Sequence, residues 1–201
     1  ATILIATGTN YKLSDHVFLM DSTQLKLDPD IFPHEVVTNI IEKASALGFK
    51  KLKESHLKDY QKLFSRVNLQ LSPTVTHVPT KTLVENYKKD ASDPYLEELM
   101  FHFGRYLLIS SSREGTLPCG VQGEWSQYHV TPWSGGYWHN INVQMNYWGA
   151  FITNIPETFV AYEKYFNAYL PKAYANGNKY IEKWHPEAFS KNEKGNGWCI
   201  G

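Results

Sequence analysis

The spacing of apolar and polar positions changes several times along the chain, and each change predicts an element. Residues 1 to 11, "ATILIATGTNY", alternate and are rich in Ile and Thr, which predicts a strand with no turn or cap ahead of it. From Pro33 the period becomes helical. "PHEVVTNIIEKASALGF" puts Val36, Val37, Ile40, Ile41 and Ala44 on one face, with Pro33 near the start and Gly48 as the stop. "SHLKDYQKLFSRV" predicts a second helix with Ser55 at its N-cap and Leu57, Tyr60, Leu63 and Phe64 at helical spacing, and "NLQLS" a short strand after it.

A polar connection with Pro73 and Pro79 leads to a short charged helix ending near "KKDASDP". "DPYLEELMFHFGRYLLISSSR" then opens at Asp93 with Pro94 in its first turn. Apolar residues nearly surround its second half (Leu99, Met100, Phe103, Tyr106, Leu107, Leu108), so an inner helix buried on most sides is expected. The segment from Glu114 to Trp138 is rich in Gly, Pro and Trp and has no helical period; irregular stretches of this length in a compact fold are usually functional. Helices resume in "VQMNYWGAFITN" and in "PETFVAYEKYFNAYLPKAYANGNKYIEKW", where Pro171 is expected to kink or divide the helix. The chain stops at "GNGWCIG" just after an apolar restart, so both ends read as cut from something longer.

Charge narrows the partners. Twenty basic residues balance twenty acidic ones, which gives no electrostatic footprint for nucleic acid or an anionic membrane. No run reaches the roughly 18 apolar residues of a membrane span, and no signal-peptide series opens the sequence. Cys119 and Cys199 make neither a disulfide framework nor a zinc spacing; a pair with each other stays open, and buried free thiols are the preferred reading. His102, His129, His139 and His185 lack metal-ligand spacing, and Ser110 to Ser112 with Arg113 form no nucleophile elbow, so neither a metal nor a cofactor is expected.

Aromatic residues make up 14% of the chain, and four of its six tryptophans (Trp125, Trp133, Trp138, Trp148) fall in one short segment. Indole faces suit a core and the C–H faces of sugar rings equally well. The same segment holds "YWHNINVQMNYW", residues 137 to 148, where Asn140 and Asn142 stand two apart between large rings. Residues at that separation share a face in extended backbone and nearly oppose each other in a helix. If the two serve one site, "HNIN" is extended and a helix starts near Val143; otherwise Asn142 is its cap. An amide buried among rings needs partners, since leaving it unsatisfied costs on the order of 1 to 3 kcal/mol.

"GRYLLISSSREGTLPCGVQGEW", "TPW" and "YWHNINVQMNYWGAFITNIPE" together resemble glycoside hydrolase family 95, the inverting α-L-fucosidases. The similarity runs without gaps from Phe103 to Trp148 and more loosely to Trp198. "HLKDYQKLFSRVNLQL" is similar to the family's linker, and "ATILIATGTNY" to the end of its N-terminal β-sandwich. Cys119-Gly120, Glu114, Gly149 and "SGGYWH" depart from the family's pattern. Because the last of these borders the sugar site in the family, L-galactose stays open beside fucose.

The resemblance implies a mainly α fold, the first part of an (α/α)6 barrel, preceded by a helical linker and a β-strand remnant of a β-sandwich. The implied division is residues 1–32, 33–80 and 81–201 in that order. It implies hydrolysis of terminal α-L-fucosyl residues, such as α-1,2-linked fucose, with inversion. Asn142 would activate water and Asn140 would hold water and substrate, with His139, Gln122 and Trp125 in or beside the pocket. The general acid, and the aspartate that polarises the asparagine, would fall past Gly201. The implied partners are a fucosylated glycan and the rest of a longer chain, in an extracellular or periplasmic location. A non-catalytic sugar-binding domain and a six-hairpin phosphorylase acting on glucosides are the alternatives.

Overall fold

The computed structural model describes residues 2–21, 23–72, 77–124, 126–192 and 194–200. Seven α-helices are assigned among them: α1 (Asp15–Leu19), α2 (Pro33–Phe64), α3 (Thr80–Tyr87), α4 (Tyr95–Ser111), α5 (Asn142–Met145), α6 (Trp148–Ile152) and α7 (Phe159–Trp184). No strand is assigned among the described residues, so the fold is mainly helical. The chain divides into two compact units, one of residues 1–59 with 161–201 and one of residues 60–160.

In the first unit, residues 2–11 are irregular, which corrects the expected strand. Ile3 and Ile5 are 82% and 84% exposed, so their alternation meets no sheet and the segment has no ladder to join. The segment lies against α2 instead: a Cβ placed on Gly8 would stand 2.9 Å from Val37 Cγ1. The two helices expected on either side of Gly48 are one assigned element, broken at Gly48 by φ 73° and ψ 162°. That backbone geometry favours glycine. The second half starts at once after this break, without waiting for a cap at Ser55.

Helix α7 runs through Pro171 undivided and buries its small residues Ala161, Ala173 and Gly177. Gly177 lets residues 197 and 198 lie on the helix, since a Cβ there would come within 2.6 Å of Gly197 O. The Cys199 amide donates to Ala173 O at 2.9 Å, and Asn196 Nδ2 donates to Asn178 Oδ1 at 2.8 Å. Phe18 of α1 meets Tyr165 and Tyr169 edge-on at 5.4 and 5.3 Å. Burial pushes the Tyr165 hydroxyl up to about 12.

The second unit is built on α4. Pro94 starts it, and the Tyr95 amide donates to Asp93 Oδ1 at 2.9 Å. Leu96, Arg105, Leu108, Ile109 and Ser111 are its buried residues, while Met100, Phe103 and Tyr106 are open. One face is covered here, not most of the helix as its composition suggests. Arg105, 3% exposed, reaches the C-terminal end of α2: its Nη1 donates to Phe64 O and Val67 O at 2.8 and 2.9 Å, and its Nη2 to Leu63 O at 3.2 Å. Carbonyls at a helix C-terminus carry partial negative charge, which suits a buried guanidinium.

The expected strand "NLQLS" is also absent. Its polar backbone groups are taken by side chains of α4: the Leu71 and Ser72 amides donate to Glu98 Oε2, and Leu69 O lies 3.0 Å from His102 Nε2. Arg66 makes a second tie, donating from both terminal nitrogens to the Glu157 carboxylate at 2.9 and 2.7 Å, and also to Asn154 O. Glu157 stands in the 3-10 turn Pro156–Thr158 that leads into α7.

Replacing Arg105 by Met should lower stability by about 2 to 4 kcal/mol, the scale of several charge-assisted hydrogen bonds lost together. Urea unfolding followed by tryptophan fluorescence reads it. The Arg66 guanidinium holds the Glu157 carboxyl below the usual carboxylate range. Its stabilising effect is therefore complete above the ordinary value of about 4.3 and is lost as pH falls through the lower folded value. Glu157→Gln should be less stable than wild type at pH 7, and the gap should close on acidification below that range.

Candidate active site

The segment expected to carry function leaves α4 through a tight turn. The Arg113 amide donates to Thr116 Oγ1 at 3.1 Å, that hydroxyl returns a bond to Arg113 O at 2.9 Å, and Gly115 takes φ 89°. Pro118 is then fully buried and fixes the path back toward the protein. Cys119 and Gly120 follow, held by side chains from the stretch between α5 and α6. The Cys119 amide donates to Tyr147 Oη at 2.8 Å, and Asn146 Nδ2 donates to Cys119 O and Gly120 O, each at 3.2 Å.

Tyr147 Oη also lies 2.8 Å from Ser112 Oγ at the end of α4. These bonds account for the broken helix. "VQMNYWGAFITN" reads as one helix, but it forms α5 and α6 with Asn146 and Tyr147 between them. Helical geometry is left at Tyr147, while Asn146 keeps it, and both side chains reach the one loop.

Gln122 stands where the loop's two limbs meet, and its Nε2 donates to Pro132 O. It borders an open cleft of about 700 Å³ lined with Glu124, Ser126, Gln127, Tyr128 and Pro132. It also borders a second of about 450 Å³ lined by Leu107, Leu108, Cys119, Gly120 and Asn146 among others. Trp125 lies outside the described residues. Asn140, Asn142 and His139 line neither of these two clefts.

The asparagine pair departs from expectation in two respects. Residues 139–141 form a turn and are not extended; Asn140 takes φ 115°, and α5 begins at Asn142 itself. Asparagine tolerates positive φ better than most residues, and Trp133, Ser134 and Trp138 have it too. A segment with this many unusual dihedrals does not settle into a strand. Nor are the amides buried among rings. Both asparagines are exposed, and so are Trp138, Ile141, Met145 and Trp148 along the same stretch. Asn142 makes no side-chain capping bond and is not the N-cap, which is Ile141.

The electrostatic setting disfavours charge. Desolvation lowers the pKa of half-buried His139, which favours neutral imidazole. Burial raises the Cys119 thiol and the Tyr147 hydroxyl. Desolvation also raises the Glu124 carboxyl at the first cleft, although much of that residue is exposed. Side-chain amides that both donate and accept, a neutral imidazole and open indole faces suit a neutral, polyhydroxylated ligand. An amide does not by itself take a proton from water, so hydrolysis here needs a carboxylate acting with it. Glu157 is committed to Arg66 and is held ionised, which makes it a poor proton donor at neutral pH.

Among the described residues no group of three His, Cys, Asp or Glu is placed to hold a metal ion, and no helix is long and apolar enough to cross a membrane. Cys119 and Cys199 are both free. Sequence reasoning passed over Tyr147, which anchors the loop together with Ser112. The available signal was the run of serines closing α4 and a tyrosine beside an asparagine where the helix pattern is richest in rings.

Residues 48–200 match the family model described as glycosyl hydrolase family 95 catalytic domain. The chain is 40% identical over 168 residues to probable alpha-fucosidase A of Aspergillus oryzae (strain ATCC 42149 / RIB 40), covering 82% of this chain and 23% of that protein. It is 40% identical over 163 residues to alpha-L-fucosidase 2 of Arabidopsis thaliana, covering 78% and 18%. A probable alpha-fucosidase A of Aspergillus niger is 37% identical over 157 residues, with 77% and 19% covered. The chain thus spans about a fifth of the length of the curated relatives it matches.

The imidazole of His139 should titrate below its ordinary value of about 6.5, as read by NMR of the ring carbons. Protonation then works against the folded loop, so stability should fall as pH drops through about 6.5, and His139→Gln should remove that dependence.

Proposed function

This chain belongs to glycoside hydrolase family 95, and we propose that the intact protein hydrolyses terminal α-L-fucosyl residues, such as α-1,2-linked fucose, with inversion. The observation that carries the reading is the match to the family's catalytic domain over a stretch that contains Asn140, Asn142, His139, Gln122 and Trp125. Relatives named as fucosidases at 37 to 40% identity support the sugar.

In this reading Asn142 orients the attacking water through its side-chain oxygen, and Asn140 shares that water and the sugar. An inverting enzyme needs space for water between its base and the anomeric carbon, and the exposure of both amides is compatible with that. Because an amide is a weak base, a carboxylate must polarise it, and a second must protonate the leaving oxygen. Neither role is assigned to Glu124 or Glu157. His139 and Gln122 bind sugar hydroxyls, and Trp125 offers a stacking face.

The reading includes the family's architecture. Residues 1–32 would belong to the end of a β-sandwich, 33–80 to a linker and 81–201 to the first helices of an (α/α)6 barrel. The open apolar face of α4 at Met100 and Phe103 supports a further layer of helices from a longer chain. A fucosylated glycan as substrate favours an extracellular or periplasmic location.

The test is fucose release from 2′-fucosyllactose by the intact protein, wild type against Asn142→Gly. A fall in kcat of at least about 100-fold with sugar binding retained is expected for loss of the group that activates water. Equal release by the variant would take that role from Asn142. A wild type that leaves both fucosides and L-galactosides untouched would reject the fucosidase reading.

A further inference from the structure

We infer that Tyr147 is a positioning residue: its hydroxyl, by holding the Cys119 amide and Ser112 at one point, sets where Gln122 stands at the cleft and thereby sets sugar affinity. This rests on the family 95 reading for the ligand and on geometry alone for the anchor.

Tyr147 is 2% exposed and its ring meets Phe159 edge-on at 6.0 Å. Phenylalanine would serve the packing equally well, so the hydroxyl has a separate role. It receives the Cys119 N–H at 2.8 Å and meets Ser112 Oγ at 2.8 Å. The neighbouring Asn146 takes the carbonyls of Cys119 and Gly120. Two consecutive side chains thus hold three backbone groups of two consecutive loop residues. Asn146 keeps helical backbone (φ −58°, ψ −26°), and Tyr147 leaves it (φ −104°, ψ 0°) just before α6.

Downstream of this anchor the Gly123 amide donates to Gly120 O at 3.0 Å, closing the turn that contains Gln122. Gln122 is two residues from the last anchored group and borders both clefts. Any slip of residues 119–120 is therefore passed to its amide. Upstream, Ser112 ends the buried face of α4, so the anchor point is tied to the helix that Arg105 holds to the end of α2.

The experiment uses the intact protein: steady-state hydrolysis of 2′-fucosyllactose by wild type, Tyr147→Phe, Gln122→Ala and the double variant. Tyr147→Phe should raise KM about tenfold and leave kcat within about twofold, as for loss of uniform binding. In the Gln122→Ala background the same change should add no more than about twofold, because it acts through Gln122. A lowered kcat at unchanged KM, or effects on KM that multiply, would overturn the inference. Hydrogen exchange supplies an activity-independent readout: amides of residues 119–123 should exchange faster in Tyr147→Phe while those of α4 do not, and unchanged exchange in the loop would overturn the anchor. If Tyr147→Phe does not fold, Asn146→Ala carries the same expectations. A wild type that releases no fucose rejects the fucosidase reading alone, and the exchange result still decides the anchor.

Discussion

A positive charge held almost out of water organises residues 60 to 160. Arg105 cannot give up its proton under ordinary conditions, so its burial must be compensated in place. The compensation comes from the Leu63 and Phe64 carbonyls at the end of α2, from the Val67 carbonyl just past it, and from the face of Phe64, whose ring centre lies 5.3 Å from the guanidinium carbon. Since those carbonyls sit at one end of α2 and Arg105 in the middle of α4, the two elements are fixed in register. Residues 108, 109 and 112 follow Arg105 on the same face at spacings of three, four and seven, which makes Ser112 the next fixed point.

The candidate site inherits its geometry from that register. Ser112 meets Tyr147, Tyr147 holds Cys119, and Asn146 holds the carbonyls beside it; Gln122 and its clefts follow. A parallel tie runs from Arg66 to Glu157 and closes the same unit from the other side of the sequence. Around the loop His139 is favoured neutral, and Glu157 is engaged by Arg66 in an ion pair.

Much of the helical framework was legible because its signals are local. Pro33, Gly48 and Pro94 mark a start, a stop and a start, and the period of α4 identified the helix that carries the unit. Burial was less legible. The apolar residues around α4 suggested a helix covered on most sides, whereas Met100, Phe103 and Tyr106 stand open. Alternation at Ile3 and Ile5 suggested a strand, yet pairing depends on a neighbour that periodicity cannot supply. The Asn140–Asn142 pair was found by its chemistry, but its turn geometry and exposure were not, since positive φ at Asn140 is permitted and not dictated by sequence. Tyr147 escaped because its partners lie 28 and 35 residues away.

The measurement that bears most directly on the central claim is the anomeric form of the sugar first released by the intact protein, followed by proton NMR immediately after mixing with 2′-fucosyllactose. Water oriented on the face opposite the leaving group gives β-L-fucose first, with the α anomer growing in only by mutarotation. That is the result the account predicts. α-L-Fucose appearing first would mean a covalent or otherwise retaining route, and would contradict a mechanism in which Asn142 directs water onto the anomeric carbon.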